Sequence, residues 1–126
     1  MTAPAPHPVL VVDDNPETRE VLLRVLALHG HPVVAVRDGH EALDYLVRTQ
    51  GAASVIILDL FMQGMTGPGF LSARAARPEL ARIPVIVYSG YDVEPLPNVA
   101  AYVRKSADPS VLLDTIGRLQ RLSSPD

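Results

Sequence analysis

Two adjacent carboxylates, Asp13 and Asp14, close the apolar run Val9-Leu10-Val11-Val12, and a single carboxylate, Asp59, closes a second run, Val55-Ile56-Ile57-Leu58. Acids drawn together repel one another unless a cation holds them. The hard divalent cation that takes few protein carboxylates and keeps water and phosphate is Mg2+. Asp13 and Asp14 are therefore candidate Mg2+ ligands, with Asp59 and the backbone carbonyl of Phe61 as further oxygen donors. Two later apolar runs end in Ser89 and Lys105. Together these groups suit phosphoryl transfer to a carboxylate. Asp59 can be the nucleophile that becomes an acyl phosphate. Lys105 offers a point charge to the phosphate and, before phosphorylation, to Asp59. Ser89 can donate a hydroxyl hydrogen bond to a phosphoryl oxygen. Such chemistry needs little beyond positioning and charge neutralisation.

For these groups to meet, the runs must be neighbouring strands that end at one edge. A run apolar on both faces reads as a buried strand of a parallel sheet, and ligands of open parallel sheets bind beyond the carboxyl ends of the strands. Strands are expected over about 9–13, 31–36, 55–59, 84–88 and 101–104. Asn15 and Pro16 make a strong helix start, followed by a stripe of Val21, Leu22, Val25, Leu26 and Leu28 and a stop at Gly30. A second helix is expected from about Gly39 to Gln50, with Ala42, Leu43, Leu46 and Val47 turned inward, and a third from about Pro68 to Ala76. The last begins at Asp108 and Pro109, with Val111, Leu112, Ile116 and Leu119 inward. Strands alternating with helices of these lengths imply one α/β domain, a doubly wound parallel sheet with right-handed crossovers.

Composition narrows the function classes. A chain of 126 residues is one domain, and 48% hydrophobic residues suit a soluble globular fold. The net charge of -3 shows no basic stripe, so no nucleic-acid partner is expected. Absence of cysteine excludes disulfides, thiolate metal sites and thiol nucleophiles. No run has membrane-spanning length, and the start lacks the regions of a signal peptide, so a cytoplasmic location with no membrane partner is expected. Residues 1–7 are expected to be a disordered arm, 8–122 the folded domain and 123–126 a disordered tail.

Four pieces in order, Val11-Val12-Asp13-Asp14, Ile57 to Gly67, Ile83 to Gly90 and Tyr102-Val103-Arg104-Lys105, make the chain resemble a receiver domain of two-component response regulators. The resemblance implies a flavodoxin-like sheet order 2-1-3-4-5, Mg2+, a sensor histidine kinase or histidine phosphotransfer protein as phosphodonor, an unidentified downstream protein, and slow self-catalysed dephosphorylation of a stand-alone receiver. It implies that Tyr102 is the aromatic that reorients on activation, and that Phe61 and Tyr91 lie where family members tune water access to the phosphoryl group. Phe61 and Tyr91 are expected to lengthen its lifetime.

The chain departs from the family pattern at several places. Gln63 stands in the region of the usual proline, Thr66 where an acid precedes the glycine, and Ser106 where proline follows the lysine. Only residues 90–104 separate Ser89 from Lys105, and Pro95 and Pro97 lie inside them. The family's fourth helix, between strands 4 and 5, is therefore expected to be shortened to about a turn or absent. A phosphate-independent adaptor with the same fold is the competing reading. A haloacid-dehalogenase-like phosphatase would need a second acid two residues after its nucleophile, where Phe61 sits.

Overall fold

A computed structural model of the chain describes residues 7–62 and 65–123, without the side chain of Ser123. Most of the expected arm and tail, together with Gln63 and Gly64, lie outside the described residues. Five strands, β1 (Val9–Val12), β2 (Val33–Val36), β3 (Val55–Leu58), β4 (Val85–Ser89) and β5 (Ala101–Arg104), form one parallel sheet in the order β2-β1-β3-β4-β5. The helices are α1 (Pro16–Leu28), α2 (Gly39–Arg48), α3 (Gly67–Ala75), α4 (Pro78–Ala81) and α5 (Pro109–Ser123). The parallel α/β architecture is as the sequence pattern implied, and the strand order is the one implied by the resemblance to receiver domains.

Every residue of β1 and β3 is buried, because alternate side chains enter two separate cores. Leu10, Val12, Ile56 and Leu58 pack with Ala42 and Leu46 of α2 and Phe70 and Leu71 of α3. Val9, Val11, Val55 and Ile57 pack with Leu22 and Leu26 of α1 and Leu112, Ile116 and Leu119 of α5. Each such aliphatic side chain contributes roughly 1.5–3 kcal/mol on burial. β2 is half-buried throughout and lies at an edge. Val12 pairs with Val36 on one side and Leu58 on the other, and the Asp59 amide donates to the Val12 carbonyl at 2.9 Å. That register brings Asp13 and Asp59 out of the sheet at the same level.

The expected helical stripes are wider than the cores they meet. Val21 and Leu28 are 57% and 83% exposed, and Val47 and Val111 are also exposed. One residue advances a helix by about 100°, so a side chain next to a core position turns onto the flank. α4 is a single turn within the connection from α3 to β4, where the sequence pattern predicts no helix. Its end is held by Arg74, a buried residue whose guanidinium donates to the carbonyls of Ala81 at 2.7 Å and Ile83 at 2.6 Å.

No helix lies between β4 and β5, as the two prolines implied. Val93, Leu96 and Val99 pack against the α2–α3 core at intervals of three, while Pro95 and Pro97 face outward as exposed residues. Tyr102 and Arg104 of β5 pin this segment. The Leu96 amide donates to the Tyr102 hydroxyl, which donates in turn to the Leu96 carbonyl at 3.3 Å. Arg104 pairs with Asp92 and donates to the Gly90 carbonyl. Asn98 takes a φ of 67°, a left-handed turn that asparagine tolerates better than most residues.

Candidate functional site

Asn15 caps α1, its side chain accepting from the amides of Glu17 and Thr18. Capping therefore does not require Asp13 or Asp14. Asp13 is buried, and its two oxygens are spoken for separately. Oδ1 accepts from the Asn15 amide at 2.9 Å, and Oδ2 accepts from Lys105 Nζ at 2.9 Å. Asp59, 8% exposed, accepts through Oδ1 from the Phe61 amide at 3.1 Å. Oxygens of Asp13, Asp14 and Asp59 lie within 4.8 Å of one another. Lys105 Nζ is 3.8 Å from Asp59 Oδ2. The lysine thus leans toward Asp13, whereas the sequence reading set it beside Asp59.

Burial raises the Asp59 pKa above the ordinary carboxylate value, and the charges of Asp13 and Asp14 push the same way. The Phe61 amide and Lys105 oppose that rise without cancelling it. For Lys105, burial disfavours the ammonium. The hydrogen bond and charge of Asp13, with Asp59 and Tyr88 adding to them, outweigh burial and raise its pKa. The site thus holds a buried acid that is costly to charge beside a firmly protonated amine.

Ser89 is buried at the end of β4, where its Oγ accepts from the Tyr91 amide at 3.1 Å. Its hydroxyl hydrogen keeps a direction in which to donate. Its carbonyl accepts from the Lys105 amide at 2.8 Å, tying the two strand ends together although Ser106 replaces the usual proline. Phe61 and Tyr91 are both exposed and meet edge to face, ring centroids 5.8 Å apart at 88°. Thr66 caps α3 by accepting from the Gly69 amide. At Gly67, a Cβ would come within 2.6 Å of the Leu60 Cα, so glycine lets α3 begin tight against the chain after Asp59. Tyr102, bound to Leu96, is 41% exposed and lines a cleft with Ser89, Tyr91 and Arg104.

Sequence reasoning missed Tyr88. The period-two alternation of β4 turns it to the face opposite Ser89, yet Lys105 Nζ sits over its ring, 5.9 Å from the centroid. Nothing in the local sequence announces that meeting. The four histidines form no cluster, and among the described residues the three aspartates are the one group arranged to hold a metal. No helix among the described residues is long and apolar enough to cross a membrane.

A family model described as the response regulator receiver domain matches residues 9–116. The chain is 40% identical over 96 residues to protein-glutamate methylesterase/protein-glutamine glutaminase 5 of Myxococcus xanthus (strain DK1622), covering 75% of this chain and 27% of that protein. It is 37% identical over 122 residues to the nitrate/nitrite response regulator protein NarP of Escherichia coli (strain K12), covering 92% of this chain and 56% of NarP. The chain thus spans about a quarter to about half the length of these curated relatives. Among solved structures, the chemotaxis protein CheY4 of Vibrio cholerae matches with a TM-score of 0.78 and 27% identity, covering 91% of this chain and 99% of that chain.

Proposed function

Because the chain belongs to the response regulator receiver family, we propose that it is a phosphorylation-dependent switch. It accepts a phosphoryl group on Asp59 from a sensor histidine kinase or a histidine phosphotransfer protein. The observation that carries this reading is the buried Asp59 carboxylate, flanked by Asp13 and Asp14 and 3.8 Å from the Lys105 ammonium.

The donor set fits Mg2+, being three hard carboxylates whose oxygens lie within 4.8 Å. Asp13, Asp14 and Asp59 would hold it, and the Phe61 carbonyl is proposed as a further ligand. When bound there, the ion supplies positive charge to the phosphoryl oxygens. An Asp59 oxygen attacks phosphorus, the O–P bond forms as the donor's N–P bond breaks, and the imidazole leaves. Lys105 meets the charge carried by the phosphoryl oxygens, and Ser89 donates its hydroxyl hydrogen to one of them. Ser89 then draws the segment after β4 toward the site, which changes the surface a downstream protein reads. Phe61 and Tyr91 screen the acyl phosphate from water and slow its hydrolysis. The cytoplasm is part of the same proposal, since these phosphodonors draw on ATP.

Intact-protein mass spectrometry after incubation with Mg2+ and acetyl phosphate tests the reading, with Asp59→Asn in parallel. One added phosphate on the wild type, absent from the variant and from chelated samples, is the expected result. If neither acetyl phosphate nor a panel of kinases produces an adduct, the phosphate-independent adaptor takes its place.

A further inference from the structure

We propose that Tyr88 is a positioning residue for the acceptor reaction, its ring face holding the Lys105 ammonium beside Asp13 and Asp59; this rests on the acceptor reading of Asp59. Lysine carries its charge on a flexible four-carbon stem, so its placement must come from neighbours. Among the described residues, Lys105 has ion pairs with Asp13 at 2.9 Å and Asp59 at 3.8 Å. Neither carboxylate is a permanent anchor. Asp13 also belongs to the oxygen cluster that fits a cation, and Asp59 loses its free oxygen once it carries phosphate. The Tyr88 ring is subject to neither demand.

The geometry suits that task. Nζ lies 5.9 Å from the Tyr88 ring centroid, within the roughly 6 Å over which a ring face attracts a cation. Tyr88 is itself half-buried against the core that α1 and α5 cover, so the ring has little freedom to follow the lysine. A cleft beside it is lined by Glu17, Thr18, Val21, Leu22, Tyr88 and Lys105. Glu17 stands in that cleft as a competing carboxylate, with no ion pair to Lys105. An aliphatic residue at 88 would remove the attraction and leave the lysine free to turn toward Glu17.

Lys105 is the only lysine in the sequence, so isotope-labelled lysine reports on this one side chain. In the wild type its ε-methylene protons are expected upfield of their ordinary position, shielded by the ring. Tyr88→Leu should abolish that displacement and slow phosphorylation by acetyl phosphate roughly threefold to tenfold. Tyr88→Phe, which keeps the ring, should preserve both. Tyr88→Met serves as the ring-free variant should the leucine variant fail to fold. The proposal is overturned by an ordinary lysine shift in the wild type, by a ring-free variant as fast as wild type, or by a phenylalanine variant as slow as leucine. A wild type that takes no phosphate from any donor overturns the acceptor reading and this assignment together, whereas the three other outcomes overturn this assignment alone.

Discussion

Asp59→Asn should make the protein more stable, because burial makes the Asp59 charge costly and the neighbouring acids add to that cost. Oxygens of Asp13 and Asp14 lie within 4.8 Å of Asp59, and two unit charges at that distance repel by about 3.5 kcal/mol at an effective dielectric near 20. Lys105, at 3.8 Å, returns about 4 kcal/mol of attraction. Asp14 is exposed and the lysine partly so, and solvent screening leaves a net penalty of about 1–2 kcal/mol on charging Asp59. Asparagine removes that charge while its side-chain oxygen still accepts from the Phe61 amide. In metal-free buffer at pH 7 the variant should melt about 4–10 °C above wild type. The pH dependence has a definite sign. Burial and the neighbouring acids raise the folded pKa of Asp59, so the folded state binds its proton more readily than the unfolded chain does. The penalty is complete above the folded pKa and fades as pH falls through it toward 3.8, the unperturbed value. The gap between variant and wild type should close over that window. Mg2+ should stabilise wild type more than the variant, by about 1.4 kcal/mol at ten times its dissociation constant. Calorimetric melts across pH, with and without Mg2+, are the assay. A variant no more stable than wild type at pH 7, or a gap indifferent to pH, refutes the reasoning.

Removing both aromatics at the mouth of the site, with Phe61→Asn and Tyr91→Glu together, should speed loss of phosphate several-fold; decay of the phosphorylated mass with time would show it. Arg74→Ala should lose about 2–3 kcal/mol in urea titrations, because the carbonyls of Ala81 and Ile83 lose their donor and a cavity remains. Arg74→Met should lose less, since it fills the space and relieves a buried guanidinium whose Nε and Nη1 lack hydrogen-bond partners. Tyr102→Phe removes the hydroxyl that both accepts from and donates to Leu96. Amide exchange at Leu96 should accelerate about fivefold in that variant while the global melting temperature moves little.

The sequence by itself determined the alternation of strands and helices, the placement of acids, hydroxyl and lysine at strand ends, and the loss of the helix between β4 and β5. These are local properties. A strand buried on both faces has to be apolar throughout, so its first polar residue marks where it leaves the core, as Asp13 and Asp59 do. Pro95 and Pro97 forbid helical hydrogen bonds wherever the segment lies. The adjacent pair Asp13 and Asp14 against the lone Asp59 already suggested which acids would take the metal and which the phosphoryl group, and the resemblance to receiver domains supported that division.

Tertiary structure decided the rest. Lys105 could have chosen Asp13 or Asp59, and the packing of β5 beside β4 set the nearer partner at Asp13. Val21 and Leu28 share the apolar character of Leu22 and Leu26, yet the sheet covers only one narrow face of α1. Arg74 reads as a surface arginine until α4 and the start of β4 close over it. Tyr88 meets Lys105 only because β4 and β5, joined by residues 90–100, dock side by side. Periodicity records which way a side chain faces along its own element, whereas a partner's position depends on how separate elements dock, and no single element encodes that.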